Sequence, residues 1–169
     1  LLHAVNIIAS YLPESETRIL LFAHWDSRPW ADNDPNPKNR EKPVLGANDG
    51  ASGTGVLLEI ARQLGKNPAN VGVDIVFFDA EDQGELEGWD WILGSRAFVE
   101  TLNGKPNAVV VIDMIGDVDL HIFREKASDP ALTAEIWQTA KRLGYSDSFI
   151  DEEKYSIIDD HLPFLDAGI

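Results

Sequence analysis

Three short, nearly continuous apolar runs punctuate the chain: RILLFAH (18–24), VDIVFFD (73–79) and AVVVID (108–113). Runs of this kind suit strands buried on both faces, as in a mostly parallel sheet covered by helices. Between the first two lies ASGTGVLLEIARQLG, where Val56, Leu57, Ile60, Ala61 and Leu64 share one helical face and Gly65 supplies a stop. A second helix includes SRAFVETL. A third starts near the capping residues Ser128 or Asp129, includes ALTAEIWQTAKRLG and stops at Gly144. Residues 3–11 carry an apolar helical pattern ended by Pro13, and DLHIFRE (119–125) reads as a further strand at a sheet edge. The order βαβαβ(β)α predicts a single α/β domain over residues 1–169, three layers deep, with helices on both faces of a mostly parallel sheet.

One long segment, DSRPWADNDPNPKNREKP (26–43), is too rich in Pro and Asn for regular structure. A loop of that length inside a compact domain points to function. The pattern shows no internal repeat and no domain linker.

Composition narrows the classes. At 169 residues the chain can bury a substantial core, and no apolar run approaches a membrane span. A formal net charge of −15 argues against nucleic acid as a partner, because a polyanion is repelled over most of the surface. With no cysteine there is no disulfide scaffold, thiolate metal site or cysteine nucleophile. The chain begins without an initiator Met and without a signal peptide, and the expected setting is extracytoplasmic: periplasmic, secreted or lipid-anchored.

The chemistry lies in where the polar residues fall. RILLFA ends in His24 and Asp26, VDIVFF in Asp79, Glu81 and Asp82, and AVVVI in Asp113. Open α/β sheets bind ligands beyond the carboxyl ends of their strands, so these residues converge on one site. Asp49, in GANDGASGTG, sits just before the first long helix, where glycines allow close backbone approach. Any one Asp after a strand is usually a turn or cap residue, and a lone His24 would be structural. Together, several like charges repel unless a cation, a shared proton or hydrogen bonds offset them. A carboxylate–imidazole set suits catalytic zinc and leaves manganese and cobalt open. Glu81 and Asp82 need separate roles, one on a metal and one shuttling protons, and spacing alone lets either take either. Ser52 in GASGTG forms neither a nucleophile elbow nor a P-loop and reads as a helix-start serine.

In order along the chain, HWDS, GANDGASGTGVLLEIAR, FFDAED, LGSRAF and IDMIGD resemble the zinc aminopeptidases of metallopeptidase family 28 and the glutaminyl cyclases built on the same fold. Each motif is weak alone, but the ordered set is specific and spans residues 19–169. The resemblance implies that Asp49 and Asp82 bind the catalytic zinc and that Glu81 is the general acid/base. His24 and Asp113 match positions that hold a second metal in the two-metal peptidases. Asp82 stands where many relatives have Glu, one methylene longer.

The stretch SIIDDHLPF points to the cyclase branch, because Asp159, Asp160 and His161 form Asp-Asp-His where the peptidases carry Ser-Asp-His. Asp159 can share a proton with Asp113, which makes Asp113 a poorer ligand and favours one zinc rather than two. Trp25, Trp30, Trp89 and Trp91, with His161, are candidates to line the substrate pocket. The implied substrates are peptide or protein N-termini. The implied reaction converts an N-terminal Gln to pyroglutamate with loss of ammonia, with Glu81, Asp113 and Asp159 as catalytic residues. The alternatives are a zinc aminopeptidase and a non-catalytic binding domain of the same fold. In the family a further strand and a last zinc-binding histidine follow the equivalent of LPFLDAGI, so the resemblance implies a chain short at the C-terminus, at the N-terminus too, and weak in zinc binding.

Overall fold

The computed structural model describes residues 3–169. Packing groups these into two compact units, one made of the chain up to Gly116 together with Asp159–Ile169, the other of Asp117–Ile158.

The larger unit holds a four-stranded sheet in the order β1-β3-β2-β4, formed by β1 (Ile7–Tyr11), β2 (Arg18–His24), β3 (Gly72–Phe78) and β4 (Ala108–Val111). β2 runs parallel to both β3 and β4, as the apolar runs predict. Because side chains alternate across a strand, the sheet feeds two cores. Leu20, Phe22, Val76 and Phe78 meet Phe164 and Phe98 on one face. These come from α4 (Leu162–Asp166) and α2 (Leu93–Thr101). Ala23, Val73, Ile75 and Phe77 meet Leu57, Ile60 and Leu64 of α1 (Ala51–Leu64) on the other face. The result is the expected helix–sheet–helix layering. Gly53 lets α1 lie this close: a Cβ there would stand 2.0 Å from the carbonyl oxygen of Ile112.

One element departs from expectation. The apolar pattern over residues 3–11 predicts a helix, but 7–11 form β1, an antiparallel edge strand on β3. Its Ser10 hydroxyl donates to Asp74 at 2.6 Å, and Arg18 forms a two-pronged ion pair with the same carboxylate. Pairing with a neighbouring strand outweighs a local apolar period, particularly where the residues are β-branched.

The smaller unit contains β5 (Ile122–Glu125), α3 (Pro130–Arg142) and β6 (Phe149–Tyr155). β5 and β6 form their own two-stranded parallel sheet. Asp129 caps α3 by accepting the N–H of Leu132 at 2.7 Å, as the sequence predicts. β6 carries no signal in the sequence because DEEK fills its middle, an exposed stretch with no apolar run.

Candidate active site

β2 and β3, together with the segment after β4, end at one edge of the larger unit, and their polar residues meet there. His24, the last residue of β2, is buried. Its Nε2 lies 2.9 Å from Asp49 Oδ1 and 3.2 Å from Asp113 Oδ1, and its Nδ1 lies 3.4 Å from Asp26 Oδ1. Burial alone would lower the imidazole pKa, but the three carboxylates outweigh it and hold that pKa above its ordinary value.

Asp49 and Asp113 are brought together by two tied loops. The Asn48 side-chain oxygen accepts the N–H of Gly116 at 2.6 Å. The Ser52 hydroxyl donates to the Asn48 carbonyl at 2.6 Å and accepts the N–H of Ile115 at 3.0 Å. Ser52 is thus a helix-start residue with a positioning task. Asp113 Oδ1 also accepts the N–H of Met114 at 2.7 Å, a residue in the left-handed region with φ of 47°.

The segment after β3 is held from both sides. Ala80 turns the chain with φ of 57°. The Asp26 carboxylate accepts the N–H groups of Glu81 and Asp82 at 3.1 and 3.2 Å and the Gln83 amide at 3.2 Å. The Glu81 carbonyl accepts the N–H of Ile92 at 3.1 Å. Burial would raise the Asp26 pKa, yet His24, Gln83 and these N–H groups hold it below the ordinary value. Asp26 therefore acts as an anion that shapes the site. The sequence places it at the strand end without a role, since its hydrogen-bond donors, two backbone N–H groups and the Gln83 amide, lie more than fifty residues away.

Four other acids are pushed up. Burial is the first cause for each. It takes Glu81 to about 9, with His24 opposing and Asp160, Asp159 and Asp82 adding to the rise. Asp82 rises to about 6, Asp49 adding to the rise and Arg28 opposing it. Asp159 and Asp160 both rise to about 7, Asp113 contributing to each. Glu81 and Asp159 are therefore proton-bearing groups near neutrality.

The ligand atoms of His24, Asp49 and Asp113 lie within 4.8 Å of one another. One imidazole and two carboxylates fit zinc by donor chemistry. Asp82, which the family resemblance pairs with Asp49, stands outside this cluster, with Oδ1 3.7 Å from Arg28 Nη1.

The pocket candidates separate. Trp89 lines a cavity of about 240 Å³ with Pro29, Trp30, Gln83, Leu86 and Glu87. Trp30, within the long loop 26–43, lines the same cavity. Trp25 is exposed and donates its indole N–H to the Val5 carbonyl at 3.2 Å. Trp91 packs over Gly84, where a Cβ would fall 2.0 Å from the ring, and beneath the Arg28 guanidinium. His161 is the N-terminal cap residue of α4. Asp79 is structural: its carboxylate accepts the N–H of Val5 at 2.7 Å.

A mostly parallel α/β sheet that gathers imidazole and carboxylates at one edge defines a metal-site fold of the zinc-exopeptidase kind. The sequence profile of peptidase family M28 matches residues 6–169, and the chain belongs to that family. Among solved structures it is similar to Bacteroides thetaiotaomicron glutaminyl cyclase bound to N-acetylhistamine, at 45% identity and a TM-score of 0.88 over 95% of this chain and 59% of that one. It is also similar to Porphyromonas gingivalis glutaminyl cyclase, at 43% identity and a TM-score of 0.91 over 96% of this chain and 59% of that one. The aminopeptidase YwaD of Bacillus subtilis (strain 168) is 28% identical over an alignment of 165 residues that covers 89% of this chain and 30% of the relative. The chain thus spans about three fifths of the two cyclases and under a third of that peptidase. No described helix is long and apolar enough to cross a membrane.

Proposed function

We propose that the chain belongs to a zinc-dependent glutaminyl-peptide cyclotransferase, which converts an N-terminal Gln of a peptide or protein to pyroglutamate and releases ammonia. The observation that carries this reading is the pair of carboxyl groups, half-buried Glu81 and buried Asp159, each feeling the charge of the cluster that contains His24. An intramolecular amide exchange needs proton carriers and no activated water, and these two groups supply that chemistry. The two cyclases at 43–45% identity support it further.

Asp49 would be a ligand on either count: His24 and Asp113 lie close enough to share an ion with it, and the family pattern pairs it with Asp82. Zinc held there would act as a Lewis acid toward the side-chain amide carbonyl of the substrate glutamine. The α-amine nitrogen forms the new bond to the amide carbon as the bond to the leaving nitrogen breaks. Glu81, carrying its proton, gives it to the departing ammonia and recovers one from the attacking amine, so the balance closes. Protonated Asp159 can donate a hydrogen bond to the amide oxygen as charge builds on it.

A zinc aminopeptidase is the second reading, favoured by the tight His24–Asp49–Asp113 cluster at the positions of a second metal and by the similarity to YwaD. Incubation of the full-length zinc-loaded protein with Gln- and Leu-initiated peptides, followed by mass, decides. Loss of ammonia from the Gln peptide alone is the expected result. Release of an N-terminal residue overturns it.

A further inference from the structure

Arg28 lies in the long loop after β2 and is 9% exposed. A guanidinium taken out of water must have its N–H groups answered, and this one does. Nε and Nη2 form a fork on Asp32, donating to Oδ1 at 2.6 Å and to Oδ2 at 2.7 Å. Nη1 donates to two carbonyls on either side of Gln83, those of Asp82 at 3.1 Å and Gly84 at 3.2 Å. The guanidinium also stands 5.0 Å above the centre of the Trp91 ring. With those hydrogen bonds made, Nη1 is still 3.7 Å from the Asp82 carboxylate.

Asp82 is therefore fixed at three points. Its N–H is given to Asp26, its carbonyl is taken by Arg28, and its carboxylate faces the Arg28 charge. At 3.7 Å the carboxylate is paired with Arg28 by charge, not by a hydrogen bond, so its lone pairs stay available to a cation. Arg28 itself cannot drift, because the Asp32 fork and the Trp91 face set its plane.

We propose that Arg28 is a positioning residue for Asp82, and that through Asp82 it sets how tightly the site takes zinc. The inference rests on the reading that Asp82 stands at the metal, whatever reaction follows. A purely structural Arg28 would only tie loop 26–43 to the segment 82–91. The two roles differ in one respect: a structural tie acts equally whether or not residue 82 carries a carboxylate.

The test is a double-mutant cycle on zinc affinity, measured by chelator competition with the full-length protein as wild type, Arg28→Met, Asp82→Asn and the double variant, with circular dichroism to check folding. Arg28→Met is expected to weaken zinc binding by about tenfold or more, the scale found when a residue supporting a ligand is lost. The same change in the Asp82→Asn background is expected to have no further effect. Arg28→Lys should recover only part of the loss, because an ammonium cannot hold Asp32 and two carbonyls in one plane. Equal losses in both backgrounds, unchanged affinity in Arg28→Met, or unchanged affinity in Asp82→Asn would each overturn the proposal. If Arg28→Met does not fold, Asp32→Asn, which loosens the fork and leaves the charge, takes its place in the cycle and should weaken zinc binding only when Asp82 is present. No turnover is read, so failure of the cyclase assignment shows up only in the peptide assay.

Discussion

The Asp26 carboxylate, two residues past the end of β2, accepts the backbone N–H of Glu81 at 3.1 Å, across a sequence separation of fifty-five residues. The same carboxylate touches His24, so one side chain sets the position of the Glu81 backbone and of an imidazole at once.

Replacing Asp26 with Asn removes one acceptor oxygen and turns an amide N–H toward backbone N–H groups or the imidazole. Leaving such buried donors unanswered costs about 1–3 kcal/mol. The melting temperature should fall, and turnover should drop more steeply than stability explains, because Glu81 loses its fixed place. Thermal denaturation and ammonia release, measured side by side, check both halves.

Glu81→Gln separates chemistry from architecture. The amide keeps the size and the hydrogen-bonding capacity of a protonated carboxyl, so folding and zinc affinity should stay near wild type. Turnover should fall by about 10²–10⁴, the usual contribution of a general acid or base. A variant with more than a tenth of wild-type turnover would remove Glu81 from the proton-carrier role.

Much of this site is legible in the sequence, because strand-end residues stand out when the strands are apolar runs. His24, Asp49, Glu81, Asp113 and Asp159 are each visible as a chemical group at a predicted turn or matched motif. Asp26 is visible at a strand end but its task is not, because it is done on backbone N–H groups more than fifty residues away. Arg28 is not visible, because the carbonyls and the Trp91 ring it meets also lie more than fifty residues on. β1 misleads because a short apolar segment fits either period until its partner is known, and β6 hides because exposure on its outer residues removes the apolar signal. Among the tryptophans, only packing tells Trp89, which lines a cavity, from Trp91, which fills the space beside Gly84.

Acid should loosen the β1 edge first. The Asp74 carboxylate, held by Arg18 and the Ser10 hydroxyl, has its pKa lowered in the folded chain even though burial works the other way. A group with a depressed folded pKa adds stability that is present above its unfolded value of about 3.9 and lost as pH falls below it. Asp74→Asn should therefore lower the urea midpoint at pH 7 and make little difference at pH 2–3. The size should be about 1 kcal/mol or less, since both side chains remain partly in water. An equal effect at both pH values would argue that the pair is not the source.

Zinc should raise stability through the cluster. Binding to the folded chain alone stabilises it by about 2.7 kcal/mol when free zinc is a hundred times the dissociation constant. Asp49→Asn and His24→Ala should each erase most of the zinc-induced rise in melting temperature, and a chelator should reverse it in the wild type. Zinc that stabilises all three proteins alike would be binding elsewhere.

The last prediction tests how the fold carries the site. Gly53 sits in the first turn of α1, four residues after Asp49, and a Cβ there would lie 2.0 Å from the Ile112 carbonyl and 2.8 Å from the Ala23 side chain. Ile112 precedes Asp113, and Ala23 precedes His24, so the methyl group would press on the residues that present the other two donors. Nothing cheap can yield, because one of those contacts is backbone that accepts no rotamer change. Gly53→Ala should cost about 1–3 kcal/mol through overpacking, even though alanine is the better helix former. The relief has to come from α1 moving away from the sheet, which carries Asp49 away from His24. Zinc affinity should therefore fall along with the urea midpoint, whereas Gly55→Ala, where a Cβ would meet no neighbour within 4 Å, should leave affinity intact and stability equal or higher. If Gly53→Ala loses stability but binds zinc as the wild type does, the helix does not transmit its position to the cluster.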